Sequence, residues 1–174
     1  GQQLELLGVR LDDIELTDAD YQLTPDHLTL HPKTVRFVID STVRIHPETN
    51  TALEGLYKSS GMFCTQCEAE GFRRITYFLY RPDVMARYTV LLRADKARYP
   101  VLLSNGNLVD QGDLDNGRHF ARWIDPHPKP CYLFALVAGN LAVREQAIRT
   151  RGGREHLLQI YVRPGDVDKT DHAM

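Results

Sequence analysis

Two glutamates and a glutamine alternate with smaller residues in one short polar run of the chain, QCEAE at residues 66–70. In an extended chain the side chains of Gln66, Glu68 and Glu70 project to one face, because side-chain direction repeats every two residues. Such a face gathers acceptor oxygens and negative charge, which suits a bound cation. The same pattern fits a solvated polar edge, since carboxylates are common on protein surfaces. The residues alone leave both interpretations open.

Cys64 and Cys67 form a C-x-x-C motif, and two thiolates at this spacing can hold zinc or act as a redox dithiol. A structural zinc site usually has a second pair at similar spacing, whereas only Cys131 remains among the three cysteines. We therefore expect packed, inert thiols and no metal site in this chain. A C-x-x-C redox or zinc protein stays as a third interpretation.

His27 and His31 stand four residues apart, the separation of the two histidines in the helical H-E-x-x-H motif of zinc hydrolases. No glutamate follows His27, and the surrounding Leu-Thr-Leu and Pro32 favour a strand. Four residues of strand span ~13 Å, too far for two ligands of one metal ion. We expect both histidines on an outward face.

The charge balance of the 174 residues points to no polyanionic partner, because 21 Lys and Arg face 23 Asp and Glu, a formal charge of −2. Hydrophobic residues make up 43%, which is ordinary for a packed soluble domain. The aromatic residues Tyr77, Phe78, Tyr80 and Tyr88 stand at predicted strand positions that fill cores rather than stack on bases. We expect one domain that binds no nucleic acid.

The longest strongly apolar stretch, residues 131–139, is far shorter than the ~20 residues that cross a bilayer. Residues 1–10 have neither a basic region nor a continuous apolar core, so they do not form a secretory signal. Three cysteines fit a reducing compartment better than a disulfide-rich secreted module. We expect no membrane contact and a cytoplasmic location.

Alternating apolar and polar residues rich in Val, Thr and aromatics predict most of the regular structure as strands. The predicted strands are residues 26–40, 75–80, 88–93, 101–104, 119–124 and 131–137. Residues 81–87 carry a proline beside an acidic residue and predict a short helix of one or two turns. The prediction is an all-β antiparallel fold, a saddle-like sandwich or curved meander, with at most one or two short helical turns.

Three turn motifs separate these runs: Asn105-Gly106, Asn116-Gly117 and Gly152-Gly153. Each tolerates positive φ, so each is expected to join two antiparallel neighbours. We expect the polar end of the chain to be a linker whose residues pack against no other part of the domain. The predicted division is therefore a domain of residues 1–163 and a linker of residues 164–174.

Six ordered segments closely resemble the amino-terminal domain of the bacterial aminopeptidase N family, the alanyl aminopeptidases of the gluzincin class. The segments are NTALEGLY (50–57), CTQCEAEGFRRITYFL (64–79), RPDVMARY (81–88), YPVLLSNGN (99–107), NGRH (116–119) and DPHPKPCYLFALVAG (125–139). The resemblance runs from about residue 50 to 174 and is looser before it, and we expect the first strands of the family domain to be missing.

The resemblance implies a β-saddle domain that packs over a thermolysin-like zinc catalytic domain of the same polypeptide. That domain carries H-E-x-x-H and G-A-M-E-N motifs, and neither occurs in these residues. We expect this chain by itself to contain no catalytic residue and no zinc, and to be inactive. The zinc and the chemistry would belong to the catalytic domain, which is the expected partner.

By the family's motif TQCEAEG, Glu68 and Gln66 would line the S1 side of the cleft and bind the substrate's amino terminus. Glu68 would hold the α-ammonium of the peptide, and Gln66 would offer either its carbonyl oxygen or its NH₂ group. Glu70 is left outside the site, with Arg73 or Arg74 as its expected partner. Tyr80 departs from the family, which commonly has aspartate there, and this affects the predicted start of the 81–87 helix rather than the substrate contacts.

The leading function is thus a non-catalytic domain that supplies part of the amino-terminal clamp of a zinc aminopeptidase. The alternative is a stand-alone β-sandwich that binds proteins or carbohydrates, which composition and turns permit equally.

Overall fold

The computed structural model describes residues 1–173, and antiparallel strands make up most of their regular secondary structure. Within these residues the strands are β1 (Glu5–Leu11), β2 (Ile14–Glu15), β3 (Gln22–Leu23), β4 (Leu28–Thr29), β5 (Ile39–Arg44), β6 (Gly55–Ser59), β7 (Met62–Gln66), β8 (Ala86–Asp95), β9 (Val101–Ser104), β10 (Asn107–Asp113), β11 (Arg118–Lys129), β12 (Leu136–Gly139), β13 (Ala142–Arg149) and β14 (Glu155–Val162). Their helical residues form three 3-10 segments, Gly71–Arg74, Cys131–Leu133 and Pro164–His172. The predicted all-β antiparallel class is confirmed.

Two sheets enclose the larger core. One has the order β6-β7-β12-β9 and the other β10-β11-β8. Tyr99, Leu102, Ala121 and Ala138 are buried between them and come from both sheets or the loops that end them. The indole of Trp123 in β11 donates a 3.1 Å hydrogen bond to the Leu102 carbonyl in β9, which joins the two layers directly.

A second core lies beside the end of β7. Cys67, Phe72 and Cys131 are buried there, with exposed fractions of 2–5%. Phe72 meets Phe78 and Phe134 edge to face, with ring centroids 5.4 and 5.2 Å apart. Such aromatic pairs add stabilisation beyond the area that they bury. This cluster supports the polar run singled out in the sequence.

Several predicted elements differ from the structure. Residues 75–80 do not form a strand. They follow a 3-10 segment and have irregular structure, because Phe78 and Tyr80 pack into the second core. Residues 26–40 contain only β4 and the start of β5. Residues 131–137 begin as a 3-10 turn before β12. The predicted strands at 88–93, 101–104 and 119–124 are confirmed as parts of β8, β9 and β11.

The three predicted turns have different outcomes. Asn116-Gly117 joins the paired strands β10 and β11, and Gly152-Gly153 joins β13 and β14, so both are confirmed. The hairpin prediction for Asn105-Gly106 is wrong, because β9 and β10 belong to different sheets. There the Asn105 side chain binds the Leu133 carbonyl at 3.1 Å and the Ala135 amide at 2.6 Å.

The predicted helix at 81–87 is a single turn that leads into β8, closed by the Val84 amide and the Arg81 carbonyl at 3.1 Å. The polar end of the chain also differs from its prediction. Residues Pro164–His172 form a 3-10 segment, and Thr170 is only 3% exposed. Its assignment as a linker stays a prediction, and Met174 lies outside the described residues.

Among residues 1–173, no helix has the length and apolar character needed to cross a membrane.

Candidate functional site

The polar run begins where β7 ends. Gln66 is the last residue of β7 and lies opposite Gly55, the first residue of β6. Cys67 then turns inward and is 3% exposed, while Glu68, Ala69 and Glu70 form an exposed turn. A 3-10 segment starts immediately afterwards, at Gly71. Glu68 therefore lies on a short turn that is held at both ends by regular structure.

Close main-chain packing fixes the base of this turn. The Gly71 amide donates to the Cys67 carbonyl at 2.9 Å. A Cβ atom added to Gly71 would lie 2.2 Å from the Gln66 carbonyl oxygen and 2.6 Å from the Gly55 amide nitrogen. Gly55 itself has a φ of +72°, a conformation that glycine adopts without steric cost. The two glycines allow the turn to rest directly on the start of β6.

Each residue of the turn has its own anchor. The side-chain amide of Gln66 donates to the Glu68 carbonyl at 3.0 Å. The hydroxyl of Tyr80 donates to the Ala69 carbonyl at 2.6 Å. The guanidinium of Arg73 pairs with the Glu70 carboxylate at 3.2 Å. The main chain of the turn is thus restrained at Glu68 and Ala69, and the side chain of Glu70 is held by its ion pair.

The Glu68 carboxylate is the acidic group that these anchors leave free. Its side chain is exposed, and within residues 1–173 it takes part in no salt bridge or hydrogen bond. Glu70, by contrast, neutralises Arg73, the nearest cation of the turn. The carboxylate of Glu68 therefore remains available to a cation from outside the chain.

The sequence argument for a shared face was wrong in its geometry. Strand alternation does not apply, because β7 ends at Gln66 and Glu68 lies in a turn. The structure nevertheless brings Gln66 and Glu68 together through their hydrogen bond. It pairs Glu70 with Arg73, one of its two expected partners, while Arg74 pairs with Glu54 at 3.3 Å.

The cysteines of the C-x-x-C motif have different surroundings. Cys67 packs against Cys131 and the aromatic residues of the second core, and Cys64 is half-buried in β7. Burial, and next the neighbouring Cys131, raise the pKa of the Cys67 thiol to about 12. A thiol is reactive as its thiolate, so Cys67 is a structural group.

The two histidines of the rejected zinc pair are exposed, as expected. Across residues 1–173, no group of three or more His, Cys, Asp and Glu side chains is arranged to hold a metal ion. The residues described therefore do not fit a zinc site.

Sequence reasoning missed Tyr80 as a neighbour of the turn. It treated this residue as a core-filling aromatic and as affecting the start of a helix, although the hydroxyl of Tyr80 also binds the residue after Glu68. It also missed Gly55 and Gly71. Gly71 directly follows the polar run, but a single glycine does not reveal which distant main chain it must admit.

Comparison with known proteins agrees with this architecture. A profile of the Peptidase M1 N-terminal domain matches residues 9–133. Proteins named Aminopeptidase N from Escherichia coli (strain K12) and Caulobacter vibrioides are 51% and 49% identical to the chain over all 174 residues. The chain covers 20% of the length of each of these relatives.

Solved structures give the same result. The crystal structure of Legionella pneumophila aminopeptidase A in complex with aspartic acid has a TM-score of 0.94 and 39% identity, and the match covers 99% of this chain and 20% of that one. An M1 zinc metallopeptidase from Deinococcus radiodurans has a TM-score of 0.78 at 16% identity, with 94% of this chain and 38% of that one covered, which shows the shared fold alone. Because the profile spans most of the chain and the matches extend over its whole length, the chain belongs to the Peptidase M1 N-terminal domain family.

Proposed function

We propose that this chain is the non-catalytic N-terminal domain of a zinc-dependent aminopeptidase, in which it supplies part of the clamp for the substrate's amino terminus. The relatives that match its whole length are named Aminopeptidase N and are about five times longer. Chemistry would then reside in the remainder of the polypeptide. These matches favour this proposal over a stand-alone β-sandwich that binds proteins or carbohydrates.

The observation that carries the proposal is the unpaired carboxylate of Glu68 on a turn whose main chain is anchored. A peptide's α-amino group has a pKa near ~7.7 and is substantially protonated around neutrality, so it can form a charge-assisted hydrogen bond with a carboxylate. An enzyme that removes one residue at a time must recognise the chain end. A fixed anion does so, because a blocked amide terminus carries no charge to pair with it.

Gln66 completes the clamp through its carbonyl oxygen. One N–H of its side-chain amide donates to the Glu68 main-chain carbonyl, while Oε1 accepts no hydrogen bond within residues 1–173 and is free to accept one from a ligand. An ammonium has three N–H donors, so it can donate to Gln66 Oε1 and to the Glu68 carboxylate at the same time. Among the two roles left open by the sequence, the acceptor role is the one proposed.

The ligand of a solved relative fits this arrangement. The Legionella pneumophila enzyme, 39% identical to this chain, was crystallised with aspartic acid, an amino acid with a free α-amino group. The ligand class proposed here is the same chemical group at the start of a peptide.

Zinc would be held by the remainder of the polypeptide, since the residues described here do not fit a zinc site. The catalytic domain of the same polypeptide is the proposed partner, with residues 164–174 leading to it. A cytoplasmic location is proposed with it, in keeping with the free thiols of Cys64, Cys67 and Cys131.

The test is Glu68→Ala in the full-length polypeptide, assayed on peptides with free and with acetylated amino termini. Removing one partner of a desolvated charge pair costs ~2–5 kcal/mol, so kcat/KM for free peptides should fall by about 30- to several-thousand-fold. Acetylated peptides should be poor substrates of the parent enzyme. Glu48→Ala, which removes an exposed carboxylate from another turn, is the control. A loss at Glu68 below about threefold would reject the clamp.

A further inference from the structure

Tyr80 connects the second core to the turn that carries Glu68. Its ring packs against the buried cluster around Cys67 and Phe72. Its hydroxyl emerges at the edge of that cluster and donates to the Ala69 carbonyl at 2.6 Å. Because a tyrosine side chain has few rotatable bonds, packing that fixes the ring also fixes the position of the hydroxyl.

The ring of Tyr80 has a second contact, with Arg73. The guanidinium of Arg73 lies over it, 4.6 Å from the ring centroid, and the same guanidinium pairs with Glu70. Tyr80 and Arg73 therefore brace each other and hold two adjacent residues of the turn, Ala69 and Glu70. A cation above an aromatic face is attracted by the ring's negative face.

The hydroxyl is suited to this task because it stays neutral. Burial, more than any nearby charge, raises the pKa of Tyr80 to about 12, so the group remains a donor throughout the neutral range. The phenol therefore restrains the main chain at Ala69 without adding a charge to the turn.

From these contacts we infer that Tyr80 is a positioning residue. Its hydroxyl fixes the main chain next to Glu68 and so holds the Glu68 carboxylate where a peptide's α-ammonium can pair with it. The inference rests on the proposed function of Glu68 and assigns Tyr80 no contact with the substrate. The hydroxyl of Tyr80 acts through the Ala69 carbonyl, so its effect depends on the presence of the Glu68 carboxylate.

The test is a double-mutant cycle in the full-length polypeptide with Tyr80→Phe and Glu68→Ala. Phenylalanine keeps the packed ring and removes only the hydroxyl, so the fold is retained. With Glu68 present, Tyr80→Phe should lower kcat/KM for free peptides by about 2- to 12-fold, the range of one neutral hydrogen bond. In the Glu68→Ala background the same change should alter kcat/KM by less than about twofold. Tyr21→Phe is the matched control, since it removes a 2.7 Å hydrogen bond to Asp18 elsewhere.

A second measurement is independent of catalysis. Amide hydrogen exchange over residues 67–71 should become faster in Tyr80→Phe and stay unchanged in Tyr21→Phe, because the hydroxyl restrains the turn directly. Unchanged exchange would overturn the inference.

The kinetic outcomes separate the two claims. An undiminished kcat/KM in Tyr80→Phe, or an equal loss in both backgrounds, overturns the role of Tyr80 and leaves the clamp intact. A near-normal Glu68→Ala variant overturns the clamp itself, and the inference with it.

Discussion

The side-chain amide of Gln66 donates a 3.0 Å hydrogen bond to the main-chain carbonyl of Glu68. This contact ties the last residue of β7 to the turn beyond it. Two residues of the family's motif are thereby made interdependent, because one orients the main chain of the other. Their individual contributions to binding should therefore differ in size and should not be additive.

Gln66→Ala should lower kcat/KM of the full-length polypeptide by about 2- to 12-fold, since it removes one neutral acceptor and the anchor on the Glu68 carbonyl. The loss should be clearly smaller than for Glu68→Ala, which removes a charge. Steady-state kinetics on one free peptide compares them. Gln111→Ala, an exposed glutamine of β10, serves as the control. Equal losses at positions 66 and 68 would reassign the ammonium site.

Glu70→Gln should weaken substrate binding although Glu70 is outside the proposed site. The change releases Arg73, whose positive charge can then pair with Glu68 or repel the ammonium. We expect kcat/KM to fall by up to about fivefold, the range of an exposed ion pair, and the loss to shrink at high salt. Glu5→Gln breaks the exposed pair with Arg44 and controls for charge. A loss that does not depend on salt would contradict this explanation.

Gly71→Ala should destabilise the chain by about 1–3 kcal/mol, because its methyl group would meet the main chain of Gln66 and Gly55. Urea unfolding of the chain measures the change. The comparison is Gly8→Ala in β1, where an added Cβ meets nothing within 4 Å. Equal stability of the two variants would show that the turn can shift at little cost.

The free energy of unfolding should fall at alkaline pH through Cys67. Its pKa is raised from 9.0 to about 12 by burial and then by Cys131, so the folded state keeps a proton that the unfolded state has lost. The stabilisation that the protonated Cys67 thiol provides is fully present below about pH 9 and is lost as the pH rises toward 12. Unfolding curves between pH 8 and 11 should show a smaller pH slope for Cys67→Ala than for Cys64→Ala. Identical slopes would refute the buried-thiol explanation.

Asp125→Ala should cost about 3–5 kcal/mol of unfolding free energy, because it leaves the ammonium of Lys129 without its buried partner. Asp125 is 3% exposed and also accepts from the His127 amide at 3.3 Å. The double variant with Lys129→Met should recover much of the loss. Asp83→Ala breaks the exposed pair with Arg81 and should cost less than about 1 kcal/mol. Similar costs for both single variants would contradict the role of burial.

Local patterns predicted strands where the alternation is clear, and they did not predict β6, β7, β10, β13 and β14. β8 and β11 alternate clearly and were found, as were the hairpins at Asn116-Gly117 and Gly152-Gly153. Residues 75–80 have equally strand-like composition, yet packing into the second core overrides that preference. The Asn105 turn leads to another sheet, and no short-range rule distinguishes that from a hairpin.

The candidate site was found by residue type and family motif, not by geometry. Glu68 and Gln66 stand out as polar residues, and the parity argument that grouped them with Glu70 failed once β7 ended. The contact of Tyr80 joins residues eleven positions apart along an irregular path. Only the folded structure could place them together.

The contact between Gly55 and Gly71 has a further consequence for how this domain can change over time. Because main chain meets main chain at that point, neither position can admit a side chain without a shift of the turn or of β6, whichever residues fill the second core. We therefore expect residues 55 and 71 to stay glycine while the hydrophobic residues around them vary.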